Sequence, residues 1–250
     1  MGIVLVKPML ADHRLRPVPD EIERAGEALD AGEPVLIFDA PDREGETDLV
    51  FLSERATPEL VRLARRDAGG LICTAISDEL RGHLGIPFQR DLLGLAASTY
   101  PVLERVAERP RYDRRSAFGI SINHRDNYTG VTDNERALTI RTLGEIAAAA
   151  RRPQGALGVG DRFTAAFTSP GHVPLIYAAR GLLTERKGHT ELVISLARMA
   201  GLGESATVCE MLGDSGGARS PEAARRYADD HGWIFLEGRS IAEAWRTWSA

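Results

Sequence analysis

Brief apolar runs alternate with stretches of helical periodicity from one end of the chain to the other. That alternation is the signature of a layered α/β domain, and its irregularity argues for a mixed sheet. The clearest run spans residues 34–39, Pro-Val-Leu-Ile-Phe-Asp, which is continuously apolar, ends on a carboxylate and leads into polar residues 40–48. A strand buried on both faces reads this way. Further strands are expected at 49–52, 70–77, 118–123, 163–167, 173–178, 206–211 and 233–236. Apolar positions at helical spacing predict helices over 20–31, stopped by Gly32, and over 58–68, 133–150, 191–200 and 221–231, with a last one from Ile241. Residues 94–115, rich in arginine and broken by Pro101 and Pro110, read as a surface excursion, and 151–162 as a Gly- and Pro-punctuated connector. No composition shift separates the two sides of that connector. The expectation is an α+β chain folded as one three-layer α/β/α domain with a mixed twisted sheet over 18–250, after an N-terminal leader at 1–17.

Composition narrows the function classes. A chain of 250 residues with 43% hydrophobic residues is long enough to bury a core without covalent staples. Cys73 and Cys209 are its only cysteines and are expected to be reduced thiols in a cytoplasmic protein. A net charge of -5 with no basic stripe argues against nucleic acid as a partner. No run of about 18 apolar residues is present to cross a membrane, and the start lacks a signal-peptide pattern.

The net charge is unevenly spread. Asp42-Arg43-Glu44-Gly45-Glu46-Thr47-Asp48 holds four carboxylates and one arginine, a local charge of -3. Two unit charges about 6 Å apart at an effective dielectric of about 20 repel by roughly 3 kcal/mol, so a partly buried cluster of this kind wants a cation. Glu44, Glu46 and Asp48 share a face in an extended chain, and Glu44 and Asp48 do so in a helix. Hard divalent cations such as Mg²⁺ take such oxygen ligands. The alternative is a solvated acidic turn; the buried strand before it, the interleaved Arg43 and the freedom of Gly45 to bring backbone close to a ligand weigh against that.

Arg186-Lys187-Gly188-His189-Thr190 immediately precedes the most clearly amphipathic helix. Cations at a helix N-terminus, where unpaired N–H groups and the positive end of the dipole lie, suit a phosphate. The competing reading is a capped surface helix with Thr190 as N-cap. Glu210 places a carboxylate in the apolar run Thr-Val-Cys-Glu-Met-Leu, which suits it to proton transfer unless it simply faces water at the strand end. His172 follows a Pro-Gly turn and His189 a glycine; either could be a hydrogen-bonding structural histidine. Cys73, with no adjacent base, reads as a packed thiol.

Taken together, six segments resemble the 3,4-dihydroxy-2-butanone 4-phosphate synthase family. They are residues 42–48; Gly69-Gly70-Leu71-Ile72-Cys73-Thr74-Ala75; Thr129-Gly130-Val131-Thr132-Asp133-Asn134-Glu135-Arg136; Pro170-Gly171-His172; Arg186-Lys187-Gly188-His189-Thr190-Glu191; and Cys209-Glu210. They fall in the family's order between about residues 19 and 246, nearly the whole chain. The 69–75 segment and Asn123-His124-Arg125 look like the archaeal branch. Two scattered cysteines do not suit the cysteine-ligated zinc of the GTP cyclohydrolase II domain that some relatives carry, so a chain ending at Ala250 is expected to be monofunctional. The resemblance implies conversion of D-ribulose 5-phosphate to L-3,4-dihydroxy-2-butanone 4-phosphate and formate in riboflavin biosynthesis, through enediolate chemistry stabilised by Mg²⁺ or Mn²⁺.

The same resemblance implies residue roles. Glu44 and His189 would be the metal ligands, and His172, Glu210, Asp48 and Glu46 the catalytic acids and bases. Arg43, Glu44, Asp48, Thr132, Arg186, Lys187, Gly188, His189, Thr190, Glu210, Cys73 and Asp39 would contact the sugar phosphate. It further implies a homodimer with shared active sites. Two departures from the family pattern stand out: His172-Val173-Pro174-Leu175 is a residue shorter than in bacterial members, and Glu135 replaces a common aspartate. From the residues alone, a metal-dependent sugar-phosphate isomerase or aldolase shares the acidic cluster and the phosphate turn. A non-catalytic nucleotide-binding module is the third reading, though no G-x-x-x-x-G-K-[ST] loop supports it.

Overall fold

The computed structural model describes residues 16–106, 113 and 115–250. Of the expected leader only Arg16 and Pro17 fall within it, and the Arg16 guanidinium donates to the carbonyls of Trp248 and Ala250 at the far end of the chain.

Seven strands form one sheet: β1 (Val35–Phe38), β2 (Thr47–Leu52), β3 (Cys73–Ile76), β4 (Phe118–His124), β5 (Phe167–Tyr177), β6 (Ser205–Glu210) and β7 (Ile234–Glu237). Their order is β4-β5-β3-β6-β2-β1-β7. The β3–β5 and β1–β7 pairs are parallel and the other four antiparallel, so the sheet is mixed, as the irregular alternation predicts.

Alternation along the strands fills a core on each face. Leu36, Leu49, Phe51, Leu175 and Cys209 pack on one side with residues of α2 (Pro58–Leu63), α6 (Asp133–Ala150) and α9 (Pro221–His231). Val35, Ile37, Val50, Cys73 and Val208 pack on the other with α1 (Asp20–Ala31), α8 (His189–Met199) and α10 (Gly238–Trp248). The result is the expected three-layer arrangement. Burying one such aliphatic side chain contributes about 1.5–3 kcal/mol. A one-residue slip of β2 would exchange its two faces, so this packing fixes register. The register that sends Leu49 and Phe51 toward α6 necessarily sends Asp48 to the α8 face, opposite Glu210 on β6.

Local chemistry sets the helix ends. Thr132 and Glu135 form a reciprocal capping box at the start of α6. Ser220 caps α9, Pro221 occupies its first turn, and Gly232 closes it in the left-handed conformation. After β3, α3 (Asp78–Leu84) is followed by α4 (Gln89–Ala96), whose end enters the surface excursion expected at 94–115, and by α5 (Val102–Val106) within it, and neither α4 nor α5 buries a residue.

Two expectations need correction. Residues 163–167 are not a strand: α7 runs Val159–Ala166, absorbing the end of the connector, and only Phe167 belongs to β5. Val159 and Phe163 lie one helical turn apart and are both buried, a spacing that a five-residue window starting at Phe163 hides. The phosphate-type helix α8 begins at His189 rather than Glu191, so Gly188, not Thr190, is its N-cap.

Candidate active site

The acidic segment is folded by one buried carboxylate. Asp39, just past β1, accepts the backbone N–H groups of Glu44 (3.0 Å) and Glu46 (3.1 Å) and the Nη1 of Arg43 (3.1 Å). Those bonds wind residues 40–46 into a tight turn, with Gly45 at φ +70°, a conformation that favours glycine. Asp39 therefore spends its oxygens on shaping the loop. The turn returns the chain into β2 and sets the Glu44 side chain beside α8.

His189, the first residue of α8, is almost fully buried there. Its Nε2 lies 3.1 Å from the Ile37 carbonyl and donates to it, which leaves Nδ1 as the atom facing the carboxylates. Glu44 Oε2 is 3.5 Å from Nδ1 and Asp48 Oδ2 is 3.6 Å away. Burial works against a charged imidazole, but Asp48, Glu44 and Asp39 outweigh it and raise His189 to about 9. Burial likewise opposes the Glu44 carboxylate, and its bonds to His189 and Arg43 overcome that and lower it to about 2. Asp48, fully enclosed and close to Glu210 and Glu44, is pushed up to about 7 despite His189.

This geometry fits a divalent cation. One ligand atom each from Asp39, Glu44 and His189 lies within 4.8 Å of the others. An imidazole whose far nitrogen is tied to a carbonyl presents its near nitrogen as a donor, the usual arrangement around a metal-binding histidine. Asp48 Oδ1 is buried with no hydrogen-bond partner, an atom that a water on the cation or a substrate hydroxyl would satisfy. Hard carboxylate oxygens with one imidazole suit Mg²⁺ or Mn²⁺.

A second group of charges is built on two guanidinium side chains that share one carboxylate. A single oxygen of Asp113 accepts from Arg43 Nη2 (3.1 Å) and Arg186 Nε (2.8 Å) and is in ion-pair contact with Arg186 Nη2 (2.8 Å). Glu191 holds the other side of Arg186 at 2.5 Å and takes the Ala179 N–H at 2.7 Å. Gly188 lets both guanidinium groups approach the helix start, since a Cβ there would sit 2.4 Å from Arg186 Nη1 and 2.6 Å from Arg43 Nη2. With Gly188 capping by backbone alone, the first N–H groups of α8 have no side-chain cap. Thr190, buried, lines the adjoining cleft, whereas Lys187 is exposed and is not among its lining residues.

The cleft between these groups has a volume of about 130 Å³ and is lined by Glu44, Asp48, Cys73, Asp113, Arg186, His189, Thr190 and Glu210, with Phe118 and Ile176 among the apolar walls. Glu210 stands opposite Asp48 in the β2–β6 ladder, its Oε2 accepting the Leu71 N–H at 2.8 Å. Gly70 is required beside it, because a Cβ would fall 2.5 Å from Glu210 Oε2. Burial and the nearby Glu210 and Asp48 push the Cys73 thiol up, so it is a wall rather than a nucleophile. Burial and the neighbouring Glu44 and Glu210 raise Glu46 as well.

Two expected site residues lie elsewhere. Thr132 is an N-cap, its hydroxyl engaged with Glu135, and it does not line the cleft. His172 is exposed on β5 against Asn123 of β4. With β3 and β6 between β5 and β2, three strand spacings separate its strand from that of Asp48, roughly 14 Å. Conversely, sequence reasoning missed Asp113, Glu191 and Asn123 as organisers. A lone acid among Arg111, Arg114 and Arg115, and an acid in the first turn after Arg186-Lys187, were the available signals.

Comparison with known proteins agrees with this geometry. Residues 23–244 match the sequence profile of the 3,4-dihydroxy-2-butanone 4-phosphate synthase family. The chain is 47% identical over 234 residues to the 3,4-dihydroxy-2-butanone 4-phosphate synthase of Methanosarcina mazei, covering 92% of this chain and 93% of that one. It is 34% identical over 232 residues to the riboflavin biosynthesis protein RibBA of Nocardia farcinica, covering 91% of this chain and 48% of that longer one. A crystal structure of 3,4-dihydroxy-2-butanone 4-phosphate synthase in complex with two magnesium ions superimposes with a TM-score of 0.68 at 25% identity, over 89% of this chain and 95% of that chain.

Proposed function

The chain belongs to the 3,4-dihydroxy-2-butanone 4-phosphate synthase family, lyases of riboflavin biosynthesis, and on that premise we propose that its cleft converts D-ribulose 5-phosphate to L-3,4-dihydroxy-2-butanone 4-phosphate and formate. The observation that carries the reading is the pairing, across about 130 Å³, of a cluster fit for a divalent cation with a two-arginine anion group. A sugar phosphate has those two ends.

Glu44 and His189 hold the cation, Mg²⁺ or Mn²⁺, with Asp39 shaping the loop behind them. When bound, a divalent cation supplies Lewis-acid polarisation of the sugar oxygens next to the carbon that loses its proton. Arg186, the α8 N-terminus at Gly188 and the Thr190 hydroxyl receive the phosphate, with Lys187 next to Gly188 in the chain and Arg43 between the two ends. Asp48 and Glu210, adjacent in the ladder, handle protons over the middle of the chain of carbons, and a carboxyl near 7 is suited to both giving and taking one. Glu46 closes the acidic side, and Cys73 limits the depth of the cleft. The turn at 40–46 shields the reacting carbons from water.

His172 acts on the cleft of a second copy, in a homodimer with shared active sites. Three features support this: its distance from its own Asp48; the position of β4 at the sheet edge; and the flanking Tyr128 and Val131, 98% and 52% exposed. Thr132 belongs to that same edge. Residues 18–250 form the synthase domain. It works in the cytoplasm, and no helix among the described residues is long and apolar enough to cross a membrane.

The test is incubation of purified protein with ribulose 5-phosphate and Mg²⁺, with formate measured directly. Formate that appears only with metal supports the reading. Consumption of substrate without formate would reduce the site to an isomerase or aldolase.

A further inference from the structure

The β4–β5 ribbon holds a side-chain arrangement outside the cleft. Asn123 Oδ1 accepts the His172 backbone N–H at 2.8 Å, and Asn123 Nδ2 donates to the Thr129 carbonyl at 3.3 Å. Those two partners fix which way the amide points, because only an oxygen can take the first and only an NH₂ can make the second. Nδ2, with one hydrogen still to place, lies 3.2 Å from His172 Nδ1. Oδ1 is 3.3 Å from the same nitrogen and has a second lone pair, but an Nδ1–H donating there would leave the second Nδ2 hydrogen facing another donor, whereas a bare Nδ1 gives that hydrogen its acceptor.

The amide is clamped from two sides. A Cβ on Gly130, which sits at φ +93°, would fall 2.3 Å from both Asn123 amide atoms. A Cβ on Gly171 would fall 2.3 Å from the Asn123 backbone nitrogen and closer still to Ile122. The Gly130 loop is in turn pinned by the Glu135 carboxylate, which accepts N–H groups from Tyr128 (2.6 Å), Thr129 (2.9 Å) and Gly130 (3.0 Å). The longer glutamate side chain caps α6 and ties the loop at once.

From this geometry we infer that Asn123 is a positioning residue that holds His172 in the neutral tautomer protonated at Nε2, with Nδ1 accepting from Asn123 and the Nε2–H aimed outward as a hydrogen-bond donor. The structural statement stands alone; its consequence for turnover rests on the role given above to His172. An Nε2–H presented this way can hydrogen-bond a substrate oxygen on which negative charge develops, whereas the other tautomer would offer only a lone pair.

The decisive measurement is a long-range ¹H–¹⁵N spectrum of the full-length ¹⁵N-histidine-labelled protein, at a pH where the ring is neutral, with His172 assigned by its loss in His172→Gln. The wild type shows the Nε2–H pattern. Asn123→Asp has no N–H to give Nδ1 and draws the proton onto that atom, so the pattern switches to Nδ1–H. In that variant kcat for ribulose 5-phosphate falls about tenfold or more while KM changes by less than about threefold. Gly130→Ala, which presses a methyl group onto the amide, loses the single tautomer and serves if Asn123→Asp does not fold. A wild-type ring protonated at Nδ1, or an Asn123→Asp spectrum that keeps Nε2–H, overturns the inference. Full turnover by His172→Gln would instead overturn the catalytic role of His172, which the spectrum does not depend on.

Discussion

His189 Nδ1 lies 3.5 Å from Glu44 Oε2, and the opposite ring nitrogen is tied to the Ile37 carbonyl. The imidazole cannot turn away without losing that bond, so the donor atom is held toward the carboxylate before any cation arrives. Binding to a preformed site adds stability by mass action, about 2.7 kcal/mol at a hundredfold excess over Kd. Mg²⁺ should therefore raise the thermal midpoint of the wild type by several degrees. Glu44→Gln and His189→Asn should keep their secondary structure, lose that increase and lose turnover. Scanning calorimetry with and without Mg²⁺ checks it, and an unchanged increase in either variant would remove that residue from the metal site.

Asp113 and the phosphate of a substrate compete for the same guanidinium groups. One Asp113 oxygen accepts from Arg43 Nη2 and Arg186 Nε and is in ion-pair contact with Arg186 Nη2, and Glu191 pairs with the other side of Arg186. Replacing the carboxylate by an amide removes the competing charge and leaves the shape. Asp113→Asn is expected to bind inorganic phosphate about three- to tenfold more tightly, since two partly buried charges at contact distance interact by more than 1 kcal/mol. Inhibition of formate production by phosphate measures this. Weaker inhibition would mean that Asp113 orders the arginines for phosphate rather than competing with it.

Asp48 and Glu44 reach the same imidazole nitrogen but have different work. Glu44 belongs with the cation, while Asp48 is fully enclosed, raised to about 7 and paired in the ladder with Glu210. Asp48→Asn should lower kcat by about a hundredfold or more, the usual cost of removing a general acid or base. The Mg²⁺-dependent rise in thermal midpoint should survive, because Glu44 and His189 remain. Loss of both together would make Asp48 a metal ligand.

The sequence made the sheet legible because buried strands leave continuous apolar runs, and the helices legible where a full periodic face was present, as in 133–150 and 221–231. Helix α7 escaped because Phe163-Thr-Ala-Ala-Phe167 is short enough to read as a strand when the turn before it is assigned to a connector. The acidic side of the cleft was legible since four carboxylates in seven residues need a compensating charge. Asp113 was not: its function depends on where the excursion returns to the cleft, and no local pattern encodes that. Thr132 shows the converse: the motif is plain in the sequence, while the position of its hydroxyl at the start of α6, away from this chain's own cleft, is not.

Glu135 offers a pH-dependent test of the loop that supports His172. Backbone N–H groups, led by that of Thr129, and the hydroxyls of Thr132 and Thr129 lower its carboxyl from the ordinary 4.5 to about 2. A carboxyl depressed in the folded state contributes stability that is fully present above its unfolded value and is lost as pH falls through the folded one. The contribution from Glu135 is thus intact above about 4.5 and disappears between there and about 2. Glu135→Gln keeps the shape but gives the loop an amide in place of two acceptor oxygens, so it should be less stable than the wild type near neutrality. The gap between the two proteins should narrow steadily as pH drops through that window. Thermal midpoints of both proteins, measured across it, decide the matter, and a gap that stays constant with pH would show that the Glu135 carboxylate does not hold the loop through its charge.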